Sequence, residues 1–231
     1  MDIKGLCLGI AGIRIKDLDM NVNEIRDRIV ELSHQSAGDG EVQAKALGWL
    51  NAAYHELMDE VVAYLPPALQ VREEMVTSAD GAVVLAKVPY RVLKVVDVVQ
   101  GHALNGITPL EVMELDPSGS ASGAPVRFVV TASGVKIHPA SEGRGLSILY
   151  VPLVQDLNEG GAEASILLPR VHHNALVWGG LVWSSLFERG FGSSGELQVY
   201  QRQWLEAKQR VKLGLLHNVG ASLRVVPFDI V

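Results

Sequence analysis

The hydrophobic period of this chain changes twice, and that change constrains the fold more than any other feature. Apolar residues recur three and four positions apart from Asn21 to about Tyr64, alternate every second position between Ala68 and Val154, and return to the longer spacing after Pro169. The longer spacing lines one side of a helix, and a period of two lines one face of a strand. Helices, a β unit and helices must therefore follow one another in that order.

The first helix is expected to be capped by Asn21 or Asn23, with Glu24 in its first turn and Ile25, Ile29, Val30 and Leu32 on one side. Ser33 to Gly40 breaks it. A longer helix runs from Glu41 to about Tyr64, carries Trp49, Leu50, Ala53, Tyr54 and Leu57 on one face, and stops at Pro66-Pro67. Short β-branched runs follow: Ala82–Ala86, Val92–Val99, Arg127–Val130, Gly134–Ile137 and Leu146–Val151. They are separated by turn clusters at Ala79-Asp80-Gly81, Asn105-Gly106 and Asp116–Gly123. Pro169 suits the start of a third helix bearing Ala175, Leu176, Trp178, Leu181 and Val182. Gly190–Gly195 interrupts it, and a last helix from Glu196 to about His217 carries Trp204, Ala207, Val211 and Leu215.

The expected fold class is thus α+β: an α-helical bundle of two N-terminal and two C-terminal helices, interrupted by an inserted antiparallel β domain, with an extended C-terminal tail. The expected divisions are an N-terminal arm at 1–20, the first half of the helical body at 21–67, the β domain at 68–155, the second half of the body at 165–218 and a docking tail at 219–231.

Nothing in the sequence points to chemistry. The seven histidines are scattered, and none forms the pair four apart with a glutamate that a helical zinc site uses. His172 and His173 read as surface or cap residues. Gly190-Phe191-Gly192-Ser193-Ser194-Gly195 matches the spaced glycines of a dinucleotide loop but follows a helix instead of a strand, so it reads as a turn between helices. Asp59-Glu60 and Glu73-Glu74 look like solvated neighbours at element ends. No catalytic, cofactor-binding or metal residue is expected, and the chain does not read as an enzyme.

Composition narrows the remaining classes. Apolar residues make up 48% and charged residues 20% of the 231, with a mean hydropathy of +0.20, more than a lone monomer needs. Cys7 alone cannot build a disulfide framework or a multi-thiolate zinc site, and fits assembly in a reducing cytoplasm. The run Gly5–Ile13 is too short to cross a bilayer and lacks a basic start, so neither a membrane span nor a signal peptide is expected. A net charge of -6 argues against affinity gained by neutralising phosphates and suits a conduit that DNA passes without specific binding.

The last eleven residues, Ala221–Val231, hold Leu223, Val225, Val226, Phe228 and Ile230 and would be aggregation-prone in water. They read as a docking tail. Burying six large side chains there, Val231 included, gives roughly 9–18 kcal/mol, against on the order of 11–22 kcal/mol to order the backbone. One tail barely breaks even, so strand pairing on a partner's sheet edge and many tails acting together must supply the surplus.

Several local patterns in this order resemble the adaptor (connector) proteins of tailed bacteriophages. They are Ala46-Leu47-Gly48-Trp49-Leu50-Asn51-Ala52-Ala53-Tyr54-His55-Glu56-Leu57, Val88-Pro89, Gly123-Ala124-Pro125-Val126-Arg127-Phe128, Ile137-His138-Pro139-Ala140, Leu149-Tyr150-Val151-Pro152, and Leu168-Pro169 ahead of Trp178-Gly179-Gly180. The resemblance implies a virion protein of the neck, assembled in the host cytoplasm. Its helical body would form a homo-oligomeric ring, expected to be dodecameric, on the portal protein, with the tail reaching onto the portal and the β domain meeting tail or nozzle proteins. The rival readings are a tail-completion or neck protein further from the portal, and a carbohydrate-binding module of the β domain, for which Tyr90, Phe128 and Tyr150 are the available aromatic platforms.

Overall fold

The computed structural model describes residues 20–33, 39–119, 121–158, 166–187 and 194–220. The elements in chain order are α1 (Val22–Leu32), α2 (Gly40–Val62), β1 (Val71–Val76), β2 (Ala82–Val84), β3 (Pro89–Asp97), β4 (His102–Gly106), α3 (Pro109–Leu115), β5 (Arg127–Val130), β6 (Gly134–His138), β7 (Gly145–Pro152), α4 (His173–Phe187) and α5 (Ser194–Gly220). The chain divides into two compact units. One joins the described residues up to Tyr64 with those from Gln155 onward, and the other is Leu65–Val154.

In the helical unit, α1 begins with a capping box: the Glu24 amide donates to the Asn21 side chain at 3.0 Å and the Asn21 amide donates to the Glu24 carboxylate at 2.8 Å. Asp39 caps α2 through the Glu41 amide. The buried stripe of α2 runs through Ala46, Trp49, Leu50, Ala53, Tyr54, Leu57, Met58 and Val61, the three-to-four spacing of one helix face. α4 contacts α1, α2 and α5, and with Leu176, Val177, Leu181, Val182 and Ser184 all buried it has no fully polar side. A helix apolar all round belongs at the centre of its layer. Two adjacent glycines let the neighbours close on it. A Cβ at Gly179 would stand 2.6 Å from the Ala53 Cβ of α2 and 3.0 Å from the Trp204 ring of α5, and one at Gly180 would strike the Ile29 side chain of α1.

The β unit departs from the expected layout, which is corrected on three points. A fifth helix, α3, lies within it, so the chain does not consist of two helices, an antiparallel β domain and two more helices. Its seven strands form one sheet in the order β1-β7-β3-β4-β5-β6-β2, and β4 pairs with β5 in parallel, Asn105 opposite Arg127 and Gly106 opposite Phe128. The crossover from Gly106 to Arg127 carries α3 and exceeds the dozen residues that a parallel connection needs. Asn105-Gly106 is therefore the end of a strand, not a hairpin turn. Third, the two ends of the strand order, β1 and β2, are consecutive in the chain and joined by a tight turn in which the Ser78 amide donates to the Ala82 carbonyl at 2.9 Å. The sheet must consequently roll until its ends nearly meet, a barrel-like form that a flat inserted sheet would not take. The expected extended tail lies outside the described residues.

The inward face of the rolled sheet is Val83, Leu85, Val95, Leu104, Phe128, Val135, Ile137, Leu146, Ile148 and Tyr150, all buried. One charge sits among the buried positions. Asp97 is fully enclosed, lies 2.8 Å from the Arg144 guanidinium, and accepts the Val99 and Gln100 amides at 2.9 and 3.1 Å. Beside it, the Thr77 amide donates to the Arg144 carbonyl at 3.0 Å, its hydroxyl accepts the Arg144 amide at 2.9 Å, and its carbonyl accepts the Gly143 amide at 3.0 Å. The ends of β1 and β3 are thus fastened to the turn that leads into β7.

Candidate assembly surfaces

The segment that carried most of the resemblance, Asn51 to Leu57, sits on α2 and clasps the chain where it returns from the β unit. The Asn51 side chain accepts the Leu157 amide at 2.7 Å and donates to the Leu157 carbonyl at 3.1 Å, imitating a strand neighbour. One turn on, His55 meets Asp156 at 2.7 Å. Tyr54, fully buried, accepts the Leu167 amide at 3.0 Å on its hydroxyl, and burial pushes its pKa up to about 12. Asn, Tyr and His at these spacings are needed because one helix face must satisfy backbone groups of an irregular segment that has no ladder of its own.

On the same helix, Glu56 and, one turn on, Glu60 gather α4 and α5. The Glu56 carboxylate accepts Trp183 Nε1 of α4 at 3.1 Å, Trp204 Nε1 of α5 at 3.3 Å and Lys208 Nζ at 2.8 Å. Lys208 also reaches Glu60 at 2.7 Å and stands 5.5 Å over the Trp204 ring, while Lys212 pairs with the other Glu60 oxygen. Glu60 is therefore not the solvated neighbour of Asp59 that its sequence position suggests, and the basic residues of α5 serve this network as well as the helix end.

The network sets a pH window for the helical unit. Hydrogen bonds from Lys208 and then Lys212 hold Glu60 below its ordinary 4.5. Burial alone would lower Lys208, but the Glu56 and Glu60 carboxylates outweigh it and raise that ammonium above its ordinary 10.5. A depressed carboxylate stabilises above its unfolded pKa and loses that contribution as pH falls through the folded value; a raised ammonium stabilises below its unfolded pKa and loses it as pH rises through the folded value. Lys208→Met is thus expected to lower the urea midpoint near pH 7, with the gap from wild type narrowing as pH drops below about 4.5. Tryptophan fluorescence against pH checks this, since Trp183 and Trp204 touch the network directly; a gap constant down to pH 3 would contradict it.

The histidines and aromatics fall into place differently from their sequence reading. His173 is 2% exposed, with its ring nitrogens 2.6 Å from the Met20 carbonyl and 3.0 Å from that of Leu168, so it is a core tie and not a surface group. Burial, then the neighbouring His173, hold His172 below its ordinary pKa. Of the three aromatics available as sugar platforms, Phe128 and Tyr150 are buried and Tyr90 stands exposed, which leaves the binding-module reading without a platform of two rings. Tyr150 donates to the inward-facing Glu73 at 2.5 Å, and burial followed by that carboxylate pushes its pKa up to about 12. Among the described residues no group of three or more His, Cys, Asp or Glu side chains is placed to hold a metal ion, and no helix is long and apolar enough to cross a membrane.

A family model described as SU10 adaptor protein, a phage head-tail adaptor family, matches residues 20–225. The chain belongs to that adaptor family. No curated protein matches it. The match spans both units, so a structural role in the virion covers the helices and the rolled sheet alike.

The tail residues Leu223, Val225, Val226, Phe228 and Ile230, the arm at 1–20 apart from Met20, and the Gly190–Gly195 turn up to Ser193 lie outside the described residues. What sequence reasoning missed is on the outside of the β unit. There α3 buries none of its residues, and Val76, Val84, Val98 and Val99 are exposed on or near the strands. A signal for α3 was present: Thr108-Pro109-Leu110-Glu111 has the spacing of a capping box with proline at the first helical position, and the structure shows both of its hydrogen bonds.

Proposed function

We propose that this chain is the head-to-tail adaptor of a tailed phage: a virion neck protein, assembled in the host cytoplasm, that forms a dodecameric ring on the portal protein, attaches tail or nozzle proteins and leaves a channel for DNA. The observation that carries the reading is the adaptor-family match across residues 20–225. The apolar Ala221–Val231 segment supplies the portal contact through Leu223, Val225, Val226, Phe228 and Ile230, and the net charge of -6 keeps the channel from holding DNA. The β unit faces the tail components.

The test is sedimentation of the purified chain with rings of the portal protein encoded beside it, using the full-length chain and one ending at Gly220. The full-length protein is expected to co-sediment as one large particle, and the truncated protein to remain folded by circular dichroism but in the slow fraction. Binding retained by the truncated chain would remove the tail from the contact. A folded full-length chain that ignores the portal at every salt concentration would overturn the adaptor position in favour of a tail-completion role further down the neck.

A further inference from the structure

Two features of complementary character stand on the outside of the β unit. The first is α3, where Leu110, Met113 and Leu115 are 65%, 68% and 53% exposed. Leu110, Met113 and Glu114 are three and four positions apart and so share one side. Glu114 makes no hydrogen bond or ion pair among the described residues. A helix of seven residues is marginal in water even when well capped, so an apolar side held out to solvent costs stability and gains nothing within its own unit.

The second feature is a groove of about 490 Å³ across the outer faces of β1, β7 and β3, bounded by Arg72, Glu74, Lys94, Val96, Val98 and Leu149. The groove is half open to solvent, a shape that suits a side-chain ridge of another chain. Arg72 and Glu74 satisfy each other at 3.1 Å, whereas the Lys94 side chain makes no hydrogen bond or ion pair among the described residues. The groove therefore presents an apolar floor with one uncommitted cation, and α3 presents two large apolar side chains with one uncommitted carboxylate.

We propose that α3 of one copy docks in the β1-β7-β3 groove of a second copy, with Leu110 and Met113 on Val96, Val98 and Leu149 and with Glu114 on Lys94. The inference rests on the ring reading and deepens it by naming a contact between neighbours. Charge complementarity selects the occupant, because the groove's free ammonium and the helix's free carboxylate belong to the same sequence. The two patches are different ones: the groove lies on β1, β7 and β3, while α3 belongs to the connection from β4 to β5. Each copy can then give its helix to one neighbour and its groove to another. A contact between different patches is heterologous, the type that closes into a ring when the rotation between neighbours divides the circle evenly.

The test uses the full chain in a Cys7→Ser background, with Met113→Cys and Val98→Cys carried on separate preparations and treated with a short bis-maleimide. A cross-linked dimer is expected when the two are mixed and from neither alone. Glu114→Lys and Lys94→Glu are each expected to weaken self-association about tenfold, and a one-to-one mixture of those two is expected to restore it, since each mismatched helix then finds a matching groove. Both positions are exposed, so circular dichroism should be unchanged. Cross-linking of Met113→Cys alone with none in the mixture would show a symmetric contact and overturn the proposal. Assembly that proceeds without the mixed cross-link would overturn it while leaving the ring intact; no assembly at all, alone or on portal rings, would remove the ring together with this contact.

Discussion

Asp97→Ala is expected to lower the stability of the β unit by about 3–5 kcal/mol, the range for stranding one partner of a buried charge pair. Asp97 is fully enclosed and sits 2.8 Å from Arg144, whose side chain is 21% exposed. Removing the carboxylate leaves a largely enclosed guanidinium with no counter-charge, and it also strips the acceptor from the Val99 and Gln100 amides that close the β3–β4 turn. Asp97→Asn separates the two effects. The amide keeps an acceptor for the turn but not the charge, so Asp97→Asn should recover only the turn's share of the loss, and the cost that remains is that of the uncompensated Arg144. All four tryptophans lie in the helical unit, so the measurement is calorimetry or amide exchange of β7 and β3, not fluorescence. A loss below about 1 kcal/mol for Asp97→Ala, the size of an ordinary exposed pair, would show that water reaches this corner and solvates Arg144.

The reason Asp97 escaped sequence reading is the same one that hid β1. A period of two identifies a strand when every inward residue is apolar, and β1 reads Val71-Arg72-Glu73-Glu74-Met75-Val76. Its inward Glu73 is satisfied by the Tyr150 hydroxyl and, at 3.2 Å, by the Ala86 amide, so a charged residue occupies a core-facing position and the alternation disappears. Pairing between distant segments produced the other differences. Asn105-Gly106 has the composition of a turn, but a parallel partner at Arg127 and Phe128 holds it extended. The elements that were legible, α1, α2, α4, α5 and the strands around Val95, Val129, Val135 and Ile148, are those whose stability comes from an unbroken apolar stripe. The adaptor resemblance was legible for a different reason: Asn51, Tyr54 and His55 serve one local task, holding the returning chain, and their spacing along α2 is fixed by the helix itself. α3 escaped because seven residues are too few to show a period.

The glycine pair on α4 carries the other large effect. Glycine inside a helix ordinarily costs about 1 kcal/mol relative to alanine, so replacing one should stabilise wherever there is room. At Gly179 there is none: the new Cβ would stand 2.6 Å from the Ala53 Cβ and 3.0 and 3.1 Å from two atoms of the Trp204 ring. Ala53 has no rotamer to change, and Trp204 is held by its indole bond to Glu56 and the Lys208 charge above it. Relief must come from moving α2 or α5 away from α4. Gly179→Ala is therefore expected to cost about 2–3 kcal/mol, in the upper range for overpacking, read as a lowered urea midpoint by tryptophan fluorescence. Gly180→Ala gives the contrasting case. Its obstacle is a single side chain, Cδ1 and Cγ1 of the buried Ile29, which can shift without any backbone having to move, so the strain is partly offset by the gain in helix propensity. The order of the two losses is the decisive reading, because a substitution that merely disliked helical geometry would act alike at adjacent positions, whereas close approach of Ala53 and Trp204 requires Gly179 to be the far more sensitive.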